Sequence, residues 1–311
     1  MNDVFTETFF TAVVSGALLA GVPLLFAAIG ETISERAGVL NIGLEGMMLM
    51  GAYVGFLGAY YGHFAWLGFA AGAGAGAVVS LVMVLLCVRM GLDQIVVGIA
   101  ITLAAEGITS LLHGAQFAET RPILGAFEEV TIPLLSRIPV LGGSLFTQPL
   151  VVYLGFGVVI ALTWMFRATN MGLNLRAAGD KPAALDAAGV SVTSTRSYAV
   201  LATGALAGLG GAYLAVVSAG LFEPFMTQGR GFIAIVIAML GRGRPYWVLA
   251  GALLFGISLS ISDALQIAGI DLPTDFVFML PFLVVMGVLI LFGRRAFLPA
   301  ALALPYIRGA R

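Results

Sequence analysis

The sequence predicts an all-α polytopic membrane protein, with about nine transmembrane helices in two inverted repeats, some of them short or broken. Three observations point there. The chain is 60% hydrophobic and only 10% charged over 311 residues, well under the roughly one-quarter charged residues of a soluble domain. Its apolar runs approach or reach the ~17–25 residues that cross a bilayer as a helix. A pattern that begins at Ser15 returns at Thr203. Length alone would suggest two soluble domains, but the apolar runs override that prior and read as one transmembrane domain over 1–311.

The N-terminal "MNDVFTET" is acidic. A cleavable signal needs a basic start, so the first apolar run is expected to be retained. The spans read as 9–30, 44–61, 64–88, 92–112, 149–166, 198–219, 231–240, 246–262 and 276–292. Lys and Arg set the orientation. With the N-terminus outside, twelve of the fifteen lie in cytoplasmic segments, among them Arg36, Arg89, Arg176, Lys181, Arg196, Arg294, Arg295, Arg308 and Arg311. Arg121, Arg137 and Arg230 alone fall outside. Segment 167–197 and the C-terminal tail are then cytoplasmic, and 113–148 is external. Cys87, the one cysteine, sits in an apolar run and reads as a packing residue, without a disulfide framework.

The repeat runs over about 9–112 and 198–292. The first copy opens "SGALLAGVPLLFAAIG" and the second "TGALAGLGGAYLAVVS". Each is a small-residue helix, then a polar break, then an apolar segment. The copies start at the first and sixth spans, an odd offset, so the second would run inverted through the membrane. Chance similarity of Gly/Ala-rich spans is the alternative. Inverted repeats with interrupted helices mark transporters. The seventh span has ten residues, about 15 Å of helix, roughly half a hydrocarbon core. A half-length helix needs its irregular flank buried in protein or facing a water-filled path. The breaks are "FEPFMTQGRG", with Glu223, Gln228 and Arg230, and "ETISERAGVLNIGLEG", with Glu31, Glu35, Arg36, Asn41 and Glu45. A translocation path is expected at Asn41, Glu45, Gln228 and Arg230, with Glu106 of the fourth span as a further candidate. Ordinary solvated loops are the competing reading.

Much chemistry is absent. His63 and His113 are far apart, and no HExxH or Cys/His cluster offers a metal site. No G-x-S-x-G elbow occurs. The net charge of −1 gives no sign of nucleic-acid binding. No G-x-x-x-x-G-K-[ST] exists, and the single lysine, Lys181, lies in "AAGDKPAA". Energy from ATP would have to come from a separate subunit, and no cofactor is expected in this chain. The stretch "RAAGDKPAALDAAGV", 176–190, is instead a short helix signal. Asp180 or Lys181 takes the cap, and Pro182 suits a first turn. Alanine favours the helix, and Gly189 stops it. Ala183, Ala184, Ala187 and Ala188 make a small-residue face. Arg176, Asp180, Lys181 and Asp186 give charged handles. Such a helix suits a partner's groove; a connector lying on lipid headgroups is the alternative.

This stretch resembles the cytoplasmic coupling loop of ABC-importer permeases of the branched-chain amino acid and sugar group. "ERAGVLNIGLEGMMLMGAY" at 35–53 is similar to the nucleoside or simple-sugar branch. So are "LPTDFVFMLPFLVVMGVLIL" at 272–291 and "IPVLGGSLFTQPLVVYLGF" at 138–156. The resemblance covers nearly the whole chain. One departure is Asp180–Lys181 in place of the more usual Glu–Asn.

The resemblance implies a multi-pass permease subunit of an ATP-driven importer in a bacterial inner membrane, taking up nucleosides, or else sugars or branched-chain amino acids. It implies an ABC ATPase subunit docked on the coupling loop, a second related permease subunit as heterodimer or homodimer, and an extracytoplasmic substrate-binding lipoprotein. Arg176, Asp180, Lys181, Pro182, Ala183, Ala184, Asp186, Ala187 and Gly189 would form the coupling site. A proton-coupled carrier is the competing class, and Glu106 would then be its intramembrane carboxylate.

Overall fold

A computed structural model describes residues 7–118, 120–125, 127–133, 136, 141–267, six positions between 279 and 290, and 298–306. The expected ninth span, 276–292, lies outside the described residues except at those positions. Arg137, Arg294, Arg295, Arg308 and Arg311 of the charge pattern also lie outside them.

Among the described residues the helices are α1 (Glu7–Arg36), α2 (Leu44–Gly62), α3 (Ala65–Met83), α4 (Gln94–Phe117), α5 (Leu141–Leu145), α6 (Leu150–Ala168), α7 (Asn170–Asp180), α8 (Pro182–Ala187), α9 (Val192–Tyr213), α10 (Arg230–Gly241) and α11 (Pro245–Ile267). π-helical turns extend α3 over Val84–Arg89 and α9 over Leu214–Ser218. Five helical stretches are long and apolar enough to cross a membrane: Val13–Arg36, Ala65–Arg89, Gln94–Phe117, Leu150–Ala168 and Val192–Ser218. Two antiparallel strands, β1 (Glu129–Thr131) and β2 (Thr147–Pro149), pair within the segment that joins α4 to α6.

α1 is the central post. From Gly16 to Gly30 it is apolar on all sides, as a buried helix must be, and residues 21–35 are all buried. It does not stop at residue 30. Its last turns carry Glu31, Glu35 and Arg36, so the polar break is only 37–43. This end is packed rather than solvated: Glu31 Oε1 accepts the Asn41 N–H at 3.0 Å, and Arg36 lies over the Phe166 ring, 4.5 Å from its centroid. Pro23 lies inside α1 and removes the N–H that would bond the Leu19 carbonyl. The Ser218 hydroxyl donates to that carbonyl instead, at 3.2 Å. Thr203 and Ser260 hydroxyls donate in the same way to Gly30 and Val13 carbonyls, at 2.6 and 2.8 Å. Hydroxyls thus tie α9, its π turn and α11 to the post.

α9 packs against α2 and α3 through glycine. Membrane helices gain little from hydrophobicity against lipid, so close backbone packing holds them together. A Cβ added to Gly208 would stand 3.0 Å from both Gly76 N and Cα, and nearer still to the Gly72 carbonyl oxygen. Gly51 meets Gly208 from α2 just as tightly. Overpacking of this kind costs ~1–3 kcal/mol. Gly208→Val should therefore lower the melting temperature of the detergent-purified chain well below wild type; equal melting would show the contact to be loose.

Candidate functional site

The first candidate site is built by local capping. α6 ends at Ala168, and Thr169 starts α7 by accepting the Gly172 N–H on its side chain, at 3.2 Å. The residue before a proline avoids the helical region, and Lys181 obeys, with φ −146° and ψ 72°. α7 therefore stops at Asp180, and Pro182 opens α8. Gly189 ends that helix with φ +83°, a conformation glycine adopts without strain. Ser191 then caps α9 by accepting the Ser194 N–H. The expected helix is thus present, six residues long, and its flank "NMGLNLRAAG" is itself helical.

Leu185 pins α8 to the protein. Leu185 is buried and packs with Ala178 and Val192. Lys181, Ala183, Ala184, Ala187, Ala188 and Gly189 are exposed, and so is Arg176 on α7; Asp180, Pro182 and Asp186 are half-buried. The outward face is therefore almost all methyl groups, with charges at its edges. A cleft of about 290 Å³ beside it is lined by Asp186, Gly189, Ser191, Val192, Thr193 and Tyr306.

The second site joins the two breaks, 37–43 and 219–229. Glu45, in the first turn of α2, is 3% exposed. Its Oε1 accepts the Gly229 N–H at 2.8 Å, and its Oε2 accepts the Gly231 N–H at 2.5 Å. Those amides belong to the N-terminus of α10. The first amides of any helix lack internal partners, and the helix dipole favours a carboxylate there. Gly231 is required for the approach, since an added Cβ would lie 2.5 Å from Glu45 N and Cα. The entry to α10 turns on positive φ at Phe225, Gln228 and Gly229. The first break is held from both sides: Asn41 N–H donates to Glu31 Oε1 at 3.0 Å, and Leu40 N–H to Gln94 Oε1 at 2.8 Å.

Of the four expected path residues, Glu45 joins the segment that holds Gln228 and Arg230 through the Gly229 and Gly231 amides, and Asn41 bonds Glu31 and Met47 instead. Gln228 is exposed and Arg230 half-buried; the Arg230 guanidinium donates to the Met226 carbonyl at 2.9 Å. Asn41 is buried, with Nδ2 directed at Met47 Sδ and Oδ1 accepting no hydrogen bond. Glu45 is spent on backbone amides and holds the junction rather than presenting a free carboxylate. Glu106 is half-buried on α4, and no hydrogen bond ties it to the junction. Sequence reasoning missed Arg196, which it counted only as a charge; one Arg at a helix start carries no local sign of its partners. Among the described residues no group of three or more His, Cys, Asp and Glu is placed to hold a metal ion.

The family model for the branched-chain amino acid transport system permease component matches residues 13–292. The guanosine ABC transporter permease protein NupQ of Bacillus subtilis is 36% identical over 96% of this chain and 97% of its own length. The nucleoside ABC transporter permease protein NupC of Lactococcus lactis subsp. cremoris is 33% identical, covering 95% and 96%. A Haloferax volcanii permease protein, TsgC13, provisionally named for glucose, is 36% identical, covering 84% and 78%.

Proposed function

The chain belongs to the branched-chain amino acid transport system permease component family, and from that premise we propose that it is the membrane-spanning permease subunit of an ATP-driven importer of nucleosides. The observation that carries the coupling half of this reading is α8, a rigid helix with an exposed alanine face, fixed from behind by Leu185. A separate ABC ATPase subunit docks there, and ATP binds in that subunit. The chain itself is a transporter subunit and performs no hydrolysis.

The nucleoside cargo rests on two full-length relatives whose names carry guanosine and nucleoside. Sugar is the second reading, favoured by the relative named for glucose. The remaining parts follow from the same reading. Nine spans form two inverted repeats in a bacterial inner membrane. The breaks before α2 and α10 are equivalent parts of the two repeats, and their helix N-termini meet at Glu45. The path runs beside this junction, past Asn41, Gln228 and Arg230. A second related permease subunit, most simply a heterodimer partner, completes the path. An extracytoplasmic lipoprotein delivers the cargo.

The test is co-purification followed by competition. A tagged chain taken from native membranes should retain an ATPase subunit. Proteoliposomes of that complex with the binding lipoprotein should take up labelled guanosine only with ATP. Unlabelled nucleosides should compete and glucose should not. Competition by glucose alone would move the cargo to sugars. ATP-independent uptake driven by a proton gradient would replace the importer with a carrier.

A further inference from the structure

Arg196, in the first turns of α9, is 3% exposed, yet among the described residues no carboxylate pairs with its guanidinium. Its partners there are backbone carbonyls, and these come from three separate segments. Nε bonds Ala37 O just past α1, at 3.1 Å. Nη2 bonds Ala178 O of α7 at 3.2 Å and Ala301 O at 3.4 Å. Nη1 bonds Leu304 O at 2.7 Å. The last two lie in the C-terminal tail, 298–306. The tail adds two backbone bonds of its own, Ala301 N–H to Gly179 O at 2.8 Å and Ala303 N–H to Gly38 O at 3.1 Å. Its Tyr306 packs on the cluster of Leu185 and Val192 that anchors α8. Gly179 and Gly38 allow this crowding. A Cβ on Gly38 would lie 3.1 Å from Gly179 Cα, and one on Gly179 would run into the Arg36 carbonyl.

We propose that Arg196 and the tail form a strap that makes α8 and the end of α1 move as one body, so that displacement of α8 reaches the two central breaks. This rests on the importer reading and adds the route of coupling. The geometry supports it in two ways. A guanidinium presents five N–H donors in a rigid fork, so one side chain fixes three segments at once. The segment it fixes on α1 leads within a few residues to Asn41 and Glu45, and the helix that bears it, α9, leads through its π turn to the second break. Arg196 is thus a positioning residue: it touches neither cargo nor nucleotide.

The experiment compares solute moved per ATP hydrolysed, in proteoliposomes of the whole complex with its binding lipoprotein. Arg196→Gln keeps two donors and strands at least two carbonyls. Ala303→Pro attacks the tail alone: Ala303 has φ +60°, and proline is confined near −65° and has no N–H. Ala303→Gly is the control, since glycine accepts positive φ. Both disruptive variants should still bind the ATPase, because the alanine face of α8 is unchanged. ATP hydrolysis should persist while solute moved per ATP falls tenfold or more, and Ala303→Gly should match wild type. A merely structural role would lower hydrolysis and uptake together, in proportion to the complex recovered, and would overturn the strap. An unchanged ratio in Ala303→Pro would overturn it as well, even where Arg196→Gln fails to fold. Absence of any ATPase from the wild-type preparation would instead overturn the importer reading on which the strap depends.

Discussion

Ala187→Pro is expected to abolish uptake by releasing the ATPase. Position 187 is the last residue of a six-residue helix. Proline there removes a backbone bond, collides with the preceding turn and costs ~3 kcal/mol. It also disfavours helical backbone at Asp186. If that cost falls on the docked state, affinity drops about a hundredfold. The spans are untouched, so the chain should still insert and the five long apolar helices should remain. Ala184→Trp makes the same point without breaking the helix. Ala184 is exposed, so an indole there leaves the permease intact and fouls only the surface that a partner must approach. Lys181→Ala should be mild, because an exposed ion pair contributes ~0–1 kcal/mol. The measurement is the amount of ATPase retained on the purified permease, beside uptake. Full retention with Ala187→Pro and Ala184→Trp would reduce α8 to a connector.

Glu45→Ala should stop uptake with the ATPase still bound. It strips the carboxylate from the half-buried Gly229 N–H and the buried Gly231 N–H. Hydrogen bonds to a charged group are the strong ones, and an unsatisfied buried donor costs ~1–3 kcal/mol. The N-terminus of α10 would then lose its fixed place against α2. Glu45→Gln retains one acceptor oxygen and turns an amide N–H₂ toward a second donor, so its uptake should fall between wild type and Glu45→Ala. Gly231→Ala reaches the same contact from the other side, by pushing a methyl into the Glu45 backbone, and should give the same defect. Wild-type transport in both Glu45→Ala and Gly231→Ala would remove the junction from the transport path.

α8 was legible because its determinants are local. Pro182 opens it, alanines fill it and Gly189 closes it, and each acts through backbone conformation within a few residues. The five long apolar spans were legible for the same reason, since transfer into lipid is summed residue by residue along one segment. The sequence also carried the lack of a phosphate-binding loop.

The helix ends and the centre were not legible. α1 runs on through "ETISER", charges that look like a loop in isolation, and its last residue, Arg36, packs over the Phe166 ring from the far end of α6. Glu45 bonds amides 184 and 186 residues away. Arg196 gathers carbonyls from 18 to 159 residues distant. Nothing within a turn of either residue encodes those partners; they are set when α9 packs by its glycines against α2 and α3. By itself the sequence determined which long segments are apolar enough to cross a membrane and where the short alanine helix α8 forms. Only the tertiary structure decided that the two breaks meet at Glu45 and that Arg196 bonds the end of α1, α7 and the C-terminal tail together. Hydrophobicity and backbone propensity act over neighbouring residues, whereas a buried carboxylate or guanidinium must take whatever donors and acceptors the packed helices bring within reach.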